Sequence, residues 1–333
     1  MHRDSYFDNA KFILIALVVF GHLIRSFIEQ NEVMLTVYKF IYTFHMPAFI
    51  LIAGYFAKGF QKEGYIKKVS IKLIIPYLIF QGIYSVYYVI IQEKNMWDLV
   101  DPLNPHWSLW FLLSLFCWNL LLYPFTKLQK GFALGLAFFI GIVIGYVDFI
   151  SNYLSLSRTF VFFPIFLIGF YLQKEHFSCL TKRSIKRLSI LVLCITFILY
   201  FSFPFDYEWL FGSKPYSYFG ETSILASVKR LGFYLLTVIT TFLFLSIVPT
   251  RRTFFTDWGT RTFYVYLLHG FIIQAFRASD LEHEISFLNN LFIAAILAIV
   301  ITSILSSNLI KKAVHPLIEV QRITYKNEET IAK

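Results

Sequence analysis

Charged residues and cysteines are both scarce in this sequence, and each scarcity excludes a class of protein. Only 15% of the 333 residues are charged, whereas 57% are hydrophobic and 20% are aromatic. A soluble domain carries roughly a quarter charged residues, so even a large soluble core would not explain this composition. The three cysteines, Cys117, Cys179 and Cys194, lack metal-ligand spacing, and two of them lie in apolar runs. We therefore expect no disulfide framework and predict a polytopic membrane protein.

The hydrophobic residues are collected in runs of the length that a membrane-spanning helix requires, about 20 residues. The runs cover residues 12–28, 38–57, 73–92, 107–124, 132–150, 159–173, 188–205, 230–249, 262–279 and 288–310. The first run is longer than a signal-peptide core and lacks a small-residue cleavage site, so we expect a retained helix. The prediction is an all-α polytopic membrane protein with about ten transmembrane helices.

We expect one integral-membrane domain over residues 1–333. Its helical bundle covers about residues 12–310, and a short charged tail follows at 311–333. The sequence shows no internal repeat and no low-complexity segment. Any chemistry must therefore be carried out by the helices and their loops.

The distribution of charge predicts the orientation, because cytoplasmic loops carry an excess of Lys and Arg. A cytoplasmic N-terminus with ten crossings places 22 of the 30 basic residues inside and twelve of the 20 acidic residues outside. Both termini are then cytoplasmic, and the plasma (inner) membrane is the expected location. The basic residues are dispersed over six inner segments, so the net charge of +10 reflects topology and membrane lipid, with no nucleic-acid partner expected.

Histidines occur inside three of the apolar runs, where an ionisable group is costly and usually serves a function. At about 1.5 Å rise per residue, His22 lies roughly 15 Å and His45 roughly 18 Å from the cytoplasmic surface, so the two imidazoles could share one cavity. His269 lies about 10 Å up the ninth helix by the same arithmetic. Such a histidine can be a structural hydrogen-bonding partner, or a general base near pH 7.

Three lysines stand where helices meet the inner surface. Lys68 and Lys72 lie one turn apart on a helix that enters the membrane, and Lys11 lies where the first run begins. Such cations can hold the phosphates of a polyanion. The alternative is the positive-inside bias itself, or contact with anionic lipid headgroups.

Aromatic residues and carboxylates are mixed on the predicted outer side, in NPHWSLWFLLSLFCW and FPFDYEWLFGSKPYSYFGE. Aromatic faces with carboxylates suit the recognition of sugars, and Trp107, Trp110 and Glu221 are the candidate acceptor-binding residues, together with His269. Interfacial belts of Trp and Tyr produce the same composition without any ligand.

Six segments together resemble the membrane-bound acyltransferase-3 family, in its fucose O-acetylase-like branch. They are a basic residue and a histidine separated by ten positions (Lys11 and His22), FHMPAFILIAGYF, the basic stretch ending in LIIPY, HWSLWFLLSLF, FFPIFLIGFYL and VYLLHGFI. The resemblance covers nearly the whole chain. The sequence departs from the family at Val69, where the first arginine of an R-x-x-R pair would be expected, so that the spacing becomes K-x-x-x-K.

The resemblance implies transfer of an acyl group, usually acetyl, from acetyl-CoA or another acyl-CoA to a hydroxyl of a carbohydrate. The acceptor would be a polysaccharide, a lipid-linked sugar or a cell-wall glycan. His22 would be the catalytic histidine, Lys11 its basic companion and His45 a residue that orients His22 or the acceptor. Lys68 and Lys72 would bind the donor, and no metal is expected.

Many relatives also carry an extra helix and an extracytoplasmic esterase-like domain that completes the transfer. We expect neither in this sequence, so its own helices or a separate envelope-synthesis protein would deliver the acyl group.

Two other functions fit the same composition. An exporter or flippase for a polysaccharide or lipid-linked sugar would use the histidines as proton relays, although such transporters commonly show internal symmetry. A structural subunit of a polysaccharide synthesis complex would not need the histidines at all. Dependence on acyl-CoA in isolated membranes separates the acyltransferase from the exporter.

Overall fold

The computed structural model describes residues 4–92, 101–150, 153–279 and 291–319, and the regular structure in these ranges is helical. The helices are α1 (Ser5–Ile24), α2 (Glu32–Phe56), α3 (Tyr65–Gln92), α4 (Trp110–Phe125), α5 (Lys130–Val143), α6 (Leu156–Tyr171), α7 (Lys174–Leu180), α8 (Arg183–Ser202), α9 (Ile224–Ile247), α10 (Thr262–Ala278), α11 (Leu291–Leu305) and α12 (Asn308–Ile318). Each of the ten predicted apolar runs overlaps one of these helices, the last run within its described residues 291–310.

Six helical segments of the described chain are long and apolar enough to cross a membrane, or seven if the bent pair α11 and α12 forms one span. Helices α4 and α5 are apolar but shorter. The chain is thus an all-helical, multi-pass membrane protein. Ten crossings and cytoplasmic termini stay predictions.

Helix α1 begins earlier than the apolar pattern predicted, at Ser5 instead of residue 12. The side chain of Asp4 accepts a hydrogen bond from the Tyr6 N–H at 3.0 Å, which caps the helix. Asp8 and Asn9 follow in the first turns and are buried. The polar start of the helix therefore lies inside the protein, where hydrophobicity alone does not reveal it.

The predicted charged tail is partly a helix. Residues 308–318 form α12, which is bent by 63° from α11. The Ser307 hydroxyl caps α12 by accepting a hydrogen bond from the Ile310 N–H. Residues 320–333, the rest of the predicted tail, lie outside the described ranges.

Helix α8 lies at the edge of the bundle. An apolar stripe at helical spacing is exposed, comprising Leu188, Leu191, Ile195 and Ile198. Ser189, Leu193 and Tyr200 are buried on the other side. This arrangement suits a helix that faces lipid on one side and protein on the other.

Helices α2 and α6 approach each other through a reciprocal pair of glycines. A Cβ atom on Gly54 would lie 2.0 Å from the Phe166 carbonyl oxygen, and one on Gly169 would lie 2.0 Å from the Leu51 carbonyl oxygen. Small residues permit such backbone contact between helices in a membrane, where van der Waals packing drives association. These two positions therefore fix the distance between α2 and α6.

We predict that Gly169→Ala destabilises the protein by about 1–3 kcal/mol, because the new methyl group can be accommodated only if the α2 backbone moves. The measurement is thermal unfolding of the detergent-solubilised protein. Gly232→Ala in α9 is the matched control, since a Cβ atom there meets nothing within 4 Å. Equal stability of the two variants would contradict the proposed contact.

Candidate active site

A cavity of about 620 Å³ extends along α1. One face of α1 lines it with Lys11, Ile15, Val18 and His22, and Arg25, in the 3-10 turn after the helix, continues this spacing of four and three. The 14 residue steps from Lys11 to Arg25 correspond to a length of about 21 Å. Helix α2 contributes a second continuous face that includes Tyr38, Tyr42, His45, Phe49 and Ala53.

The cavity has two ends of different composition. Lys11 and Lys72 lie close together at the first, which we call the lysine end, and Tyr65 and Val69 also line it. Beyond His22 the wall carries Arg25, Arg158 and Arg277, and we call this the arginine end. None of the described lining residues is an aspartate or glutamate. The cavity is therefore suited to anionic or hydrogen-bond-accepting ligands.

His22 lies in the last turn of α1, surrounded by aromatic side chains. Its Nδ1 is 3.4 Å from the Tyr42 hydroxyl, a long hydrogen bond. The centroid of its ring is 4.3 Å from that of Trp107 and 5.6 Å from that of His269. His22 thus lies at a point where four of the elements that line the cavity meet.

The predicted meeting of His22 and His45 in one cavity is found. His45 is buried, its Nδ1 lies 2.8 Å from the Ile41 carbonyl, and its ring centroid lies 4.5 Å from that of Tyr42. A carbonyl oxygen only accepts, so Nδ1 carries the proton and Nε2 keeps its lone pair. Tyr42 therefore lies between the two histidines.

His269 lies behind the cavity wall instead of on it. The residue is fully buried, and its Nδ1 donates to the Val265 carbonyl at 2.9 Å. Its Nε2 is buried with no hydrogen-bond partner in the described chain. The ring packs against both Trp107 and His22, with centroid distances of 5.1 and 5.6 Å, so these two side chains lie between His269 and the cavity.

Trp107 adopts a strained backbone conformation at this wall, with φ at +37°. Gly270 on α10 makes room for its indole, because a Cβ atom there would lie 2.6 Å from Trp107 Cζ3 and 2.1 Å from the Tyr84 hydroxyl. Strain of this kind persists only where the surroundings enforce it, and it is common at functional sites. Trp107 is held against His22 by its neighbours.

The loop before Trp107 is fixed by two polar side chains. The Gln81 amide, on α3, donates to the Asp101 and Asn104 carbonyls at 2.8 and 3.0 Å. Hydrogen bonds from the Asn104 side chain and from the Leu103 N–H lower the pKa of the Asp101 carboxyl. The loop is therefore tied to α3 directly before it delivers Trp107.

At the lysine end, Lys11 forms an ion pair with Asp8 at 2.7 Å. Lys72 lines the cavity, and so does Val69 one turn earlier, whereas Lys68 is not among the lining residues. Position 69, where the family pattern has arginine, thus faces the cavity but holds valine in this chain. Lys68, the neighbouring cation, does not line the cavity in its place.

Of the predicted acceptor-binding residues, Trp107 and Trp110 line the cavity and Glu221 does not. Glu221 lies in the segment before α9, and its carboxylate pairs with Lys229 on α9. The nearby residues 207–212 instead reach the cavity, through Leu210 and Phe211. The aromatic outer segment contributes to the site with its apolar side chains.

Two polar residues that the sequence did not reveal hold the ends of α1. The buried Asn9 amide donates to the Pro249 and Arg251 carbonyls at 2.9 Å each, and its oxygen accepts from the Thr253 and Thr256 hydroxyls. At the other end, Arg277 donates to the His22 carbonyl at 2.9 Å. Asn9 precedes the first apolar run and carries no local signal, and its partners are more than 200 positions away.

Among the described residues, no group of three or more His, Cys, Asp or Glu side chains could hold a metal ion. The reactive side chains that the cavity does present are imidazoles, lysines, arginines and tyrosine hydroxyls. These groups can move protons and bind oxyanions.

The fold and this cavity define a multi-pass membrane protein with histidines inside a cation-lined cavity. The chain belongs to the acyltransferase 3 family, whose model, described as an acyltransferase domain, matches residues 4–310. The family resemblance seen in the six sequence segments is thereby confirmed. No solved structure shows a significant match.

Two curated relatives are nodulation proteins. The chain is similar to nodulation protein NolL of Sinorhizobium fredii, at 30% identity over 216 residues, which covers 59% of this chain and 57% of that protein. It is also similar to NolL of Mesorhizobium japonicum, at 31% identity over 142 residues, or 38% of each chain. The matches span less than two thirds of either relative.

The cavity predicts a difference in thiol accessibility between two alanines of α2. Ala53 is half-buried and lines the cavity, whereas Ala48 is fully buried on another face. In a background without the three native cysteines, Ala53→Cys should react with a small hydrophilic methanethiosulfonate reagent in the folded protein, and Ala48→Cys should not. Equal labelling of both positions would contradict the described cavity.

Proposed function

We propose that this chain is an integral-membrane O-acyltransferase that moves an acetyl or other acyl group from acyl-CoA to a hydroxyl of a cell-surface or lipid-linked carbohydrate. The observation that carries the proposal is the single cavity that joins Lys11 and Lys72 to His22. Membership of the acyltransferase 3 family supports it. Acyl-CoA is here a substrate, and no step of the proposal uses a metal.

The lysine end suits the phosphates of the donor. Lys11 and Lys72 are cations near the first turns of two helices, and between them and His22 the wall is apolar, with Ile15, Val18 and Phe49. Ammonium groups bind phosphate as point charges. The pantetheine arm is long and only weakly polar, so it could follow this wall and bring its thioester toward His22.

His22 is the proposed catalytic base. If its Nδ1–H donates to the Tyr42 oxygen, Nε2 carries the lone pair, which is the state that accepts a proton. The acceptor hydroxyl would give its proton to Nε2 as its oxygen attacks the thioester carbonyl. The carbon–sulfur bond then breaks, and the proton leaves with the coenzyme A sulfur. Attack by Nε2 itself, through a transient acyl-imidazole, uses the same nitrogen.

The acceptor would approach from the arginine end. Trp107 and Trp110 line the cavity there, and indole faces are suited to sugar rings. We propose that this end faces the outside of the plasma (inner) membrane, with ten crossings and both termini cytoplasmic. The excess of Lys and Arg in alternate segments supports this orientation. A separate envelope-synthesis protein could supply or receive the acylated glycan.

We predict that His22→Ala lowers acyl transfer by about 10²–10⁴-fold, because the transition state loses its general base. The measurement is transfer of radiolabel from acetyl-CoA in membranes, assayed into both a glycan extract and the protein. His176→Ala is the matched control, since His176 lies on the exposed helix α7, away from the cavity.

The other outcomes of this experiment would change either the proposed mechanism or the proposed function. Full transfer by the His22→Ala protein at equal protein level would remove His22 from the mechanism. No label in either fraction from the unaltered protein would favour the exporter, and sugar transport would then be measured. Unchanged glycan export and acylation in all histidine variants would favour the structural subunit.

We predict that Lys72→Gln raises the KM for acyl-CoA about tenfold and leaves kcat nearly unchanged, because one charge-assisted bond to phosphate is worth about 1.5 kcal/mol. Initial rates at varied acyl-CoA concentrations measure both constants. Lys67→Gln controls for the loss of a positive charge on the same helix, since Lys67 is exposed and does not line the cavity. An equal change in both variants would indicate a general electrostatic effect and contradict the donor site.

A further inference from the structure

Arg158 is a cation on the cavity wall that the proposed reaction does not use. Its guanidinium lies 5.0 Å from the centroid of the Trp110 ring. The described chain gives it neither a carboxylate partner nor a hydrogen bond. A half-buried charge without a counterion is costly, and the cost falls when a ligand supplies the opposite charge. The structure therefore has a place for an anion that the protein itself does not provide.

Arg158 belongs to the arginine end. The neighbouring Ser157 hydroxyl donates to the Gly212 carbonyl at 2.8 Å, which places Arg158 beside the segment that contributes Leu210 and Phe211. The same segment holds Tyr207, whose ring lies 5.3 Å from the Arg25 guanidinium. Arg158 and Arg25 therefore share a level of the bundle that lies beyond His22 as seen from Lys11.

The donor phosphates do not explain this charge. They are assigned to Lys11 and Lys72, and Lys11 lies eleven residues before His22, about 16 Å along the helix axis. A donor held there with its thioester at His22 leaves the arginine end to the other substrate. Arg25 has a partner, Glu29 at 3.5 Å, and Arg277 donates to the His22 carbonyl. Arg158 is thus the lining arginine that has neither an acidic nor a hydrogen-bonding partner in the described part of the chain.

We propose that the acceptor carries an oxyanion, a phosphate or a carboxylate, and that Arg158 binds it while a sugar ring of the acceptor packs against Trp110 and Trp107. Arginine matches the planar geometry of carboxylate and phosphate and stacks on aromatic faces. Trp110 is the first residue of α4, Trp107 lies three residues before it, and Trp107 contacts His22. The anion would thus fix a sugar hydroxyl relative to His22. This inference rests on the proposed function for the identity of the site.

The test measures binding and does not require transfer. Glucose 1-phosphate, glucuronate and methyl glucoside are titrated by calorimetry into the detergent-solubilised His22→Ala protein, with coenzyme A present in excess to fill the lysine end. We expect one or both charged sugars to bind at least tenfold more tightly than methyl glucoside. Their ranking shows whether phosphate or carboxylate is preferred.

Two variants made in the same background assign the binding. Arg158→Gln should remove the preference for the charged sugar, and Arg158→Lys, which keeps the charge without the planar stack, should keep part of it. Arg183→Gln on the exposed start of α8 is the control. Thermal unfolding verifies that each variant is folded.

Three results would overturn the inference. They are equal binding of charged and neutral sugars, a preference that survives Arg158→Gln, and a preference that Lys72→Gln abolishes instead. Because the titration does not depend on acyl transfer, a protein that transfers acyl groups but fails this test would keep the proposed function and lose only the anionic acceptor. Binding of the charged sugar by a protein that transfers no acyl group would keep the anion site and overturn the proposed function.

Discussion

The position of helix α1 is the constraint on which the site depends. Lys11 and His22 are eleven residues apart, which is about 20° from three full turns, so both face the same cavity only while the helix stays regular and fixed in rotation. Buried hydrogen bonds hold it at the two ends, from Asn9 to residues 249–256 and from Arg277 to the His22 carbonyl. A buried amide with all its bonds satisfied is costly to displace, because each lost partner leaves an unpaired group. The rotation of α1 is thereby fixed by residues that do not line the reactive part of the cavity.

The wall formed by α2 and α6 is held in place by close packing of the two helices and not by polar contacts. Gly54 and Gly169 let α2 and α6 meet backbone to backbone, and the side chains above this contact define the space between the two helices. Tyr42 and His45 stand on one side, and Arg158 on the other. The same pair of helices thus combines backbone contact at the glycines with side chains that line the cavity elsewhere along their length. Rigidity around the cavity is what a site needs in order to hold two substrates in register.

Some of this was open to prediction from the sequence. The ten apolar runs identified helices, and depth counted along two antiparallel helices brought His22 and His45 together. The same arithmetic put His269 about 5 Å from His22 in depth, and their ring centroids are 5.6 Å apart. The apolar runs did not give the start of α1, which lies seven residues before its run because the polar first turns are buried.

Other parts could not be predicted because they depend on contacts between distant segments. Asn9 and Arg277 carry no local pattern, and their partners are known only once the bundle has formed. Lys68 and Glu221 have the right charge, but the helix face of one and the ion pair of the other keep them from the lining of the cavity. Val69, unlike Lys68 and Glu221, does line the cavity, although it has no charge and departs from the family pattern.

The three histidines differ in their hydrogen bonds and in their place on the cavity. His45 and His269 each donate Nδ1–H to the carbonyl four residues earlier on their helix, so their rings are fixed by the backbone. The ring of His22 has no backbone bond in the described chain, and its Nδ1 faces the Tyr42 hydroxyl, so other side chains of the cavity hold it. His22 lines the cavity on the face of α1 that also carries Lys11, whereas His269 is not a lining residue. The proposed catalytic role therefore falls to His22 and a supporting role to the other two.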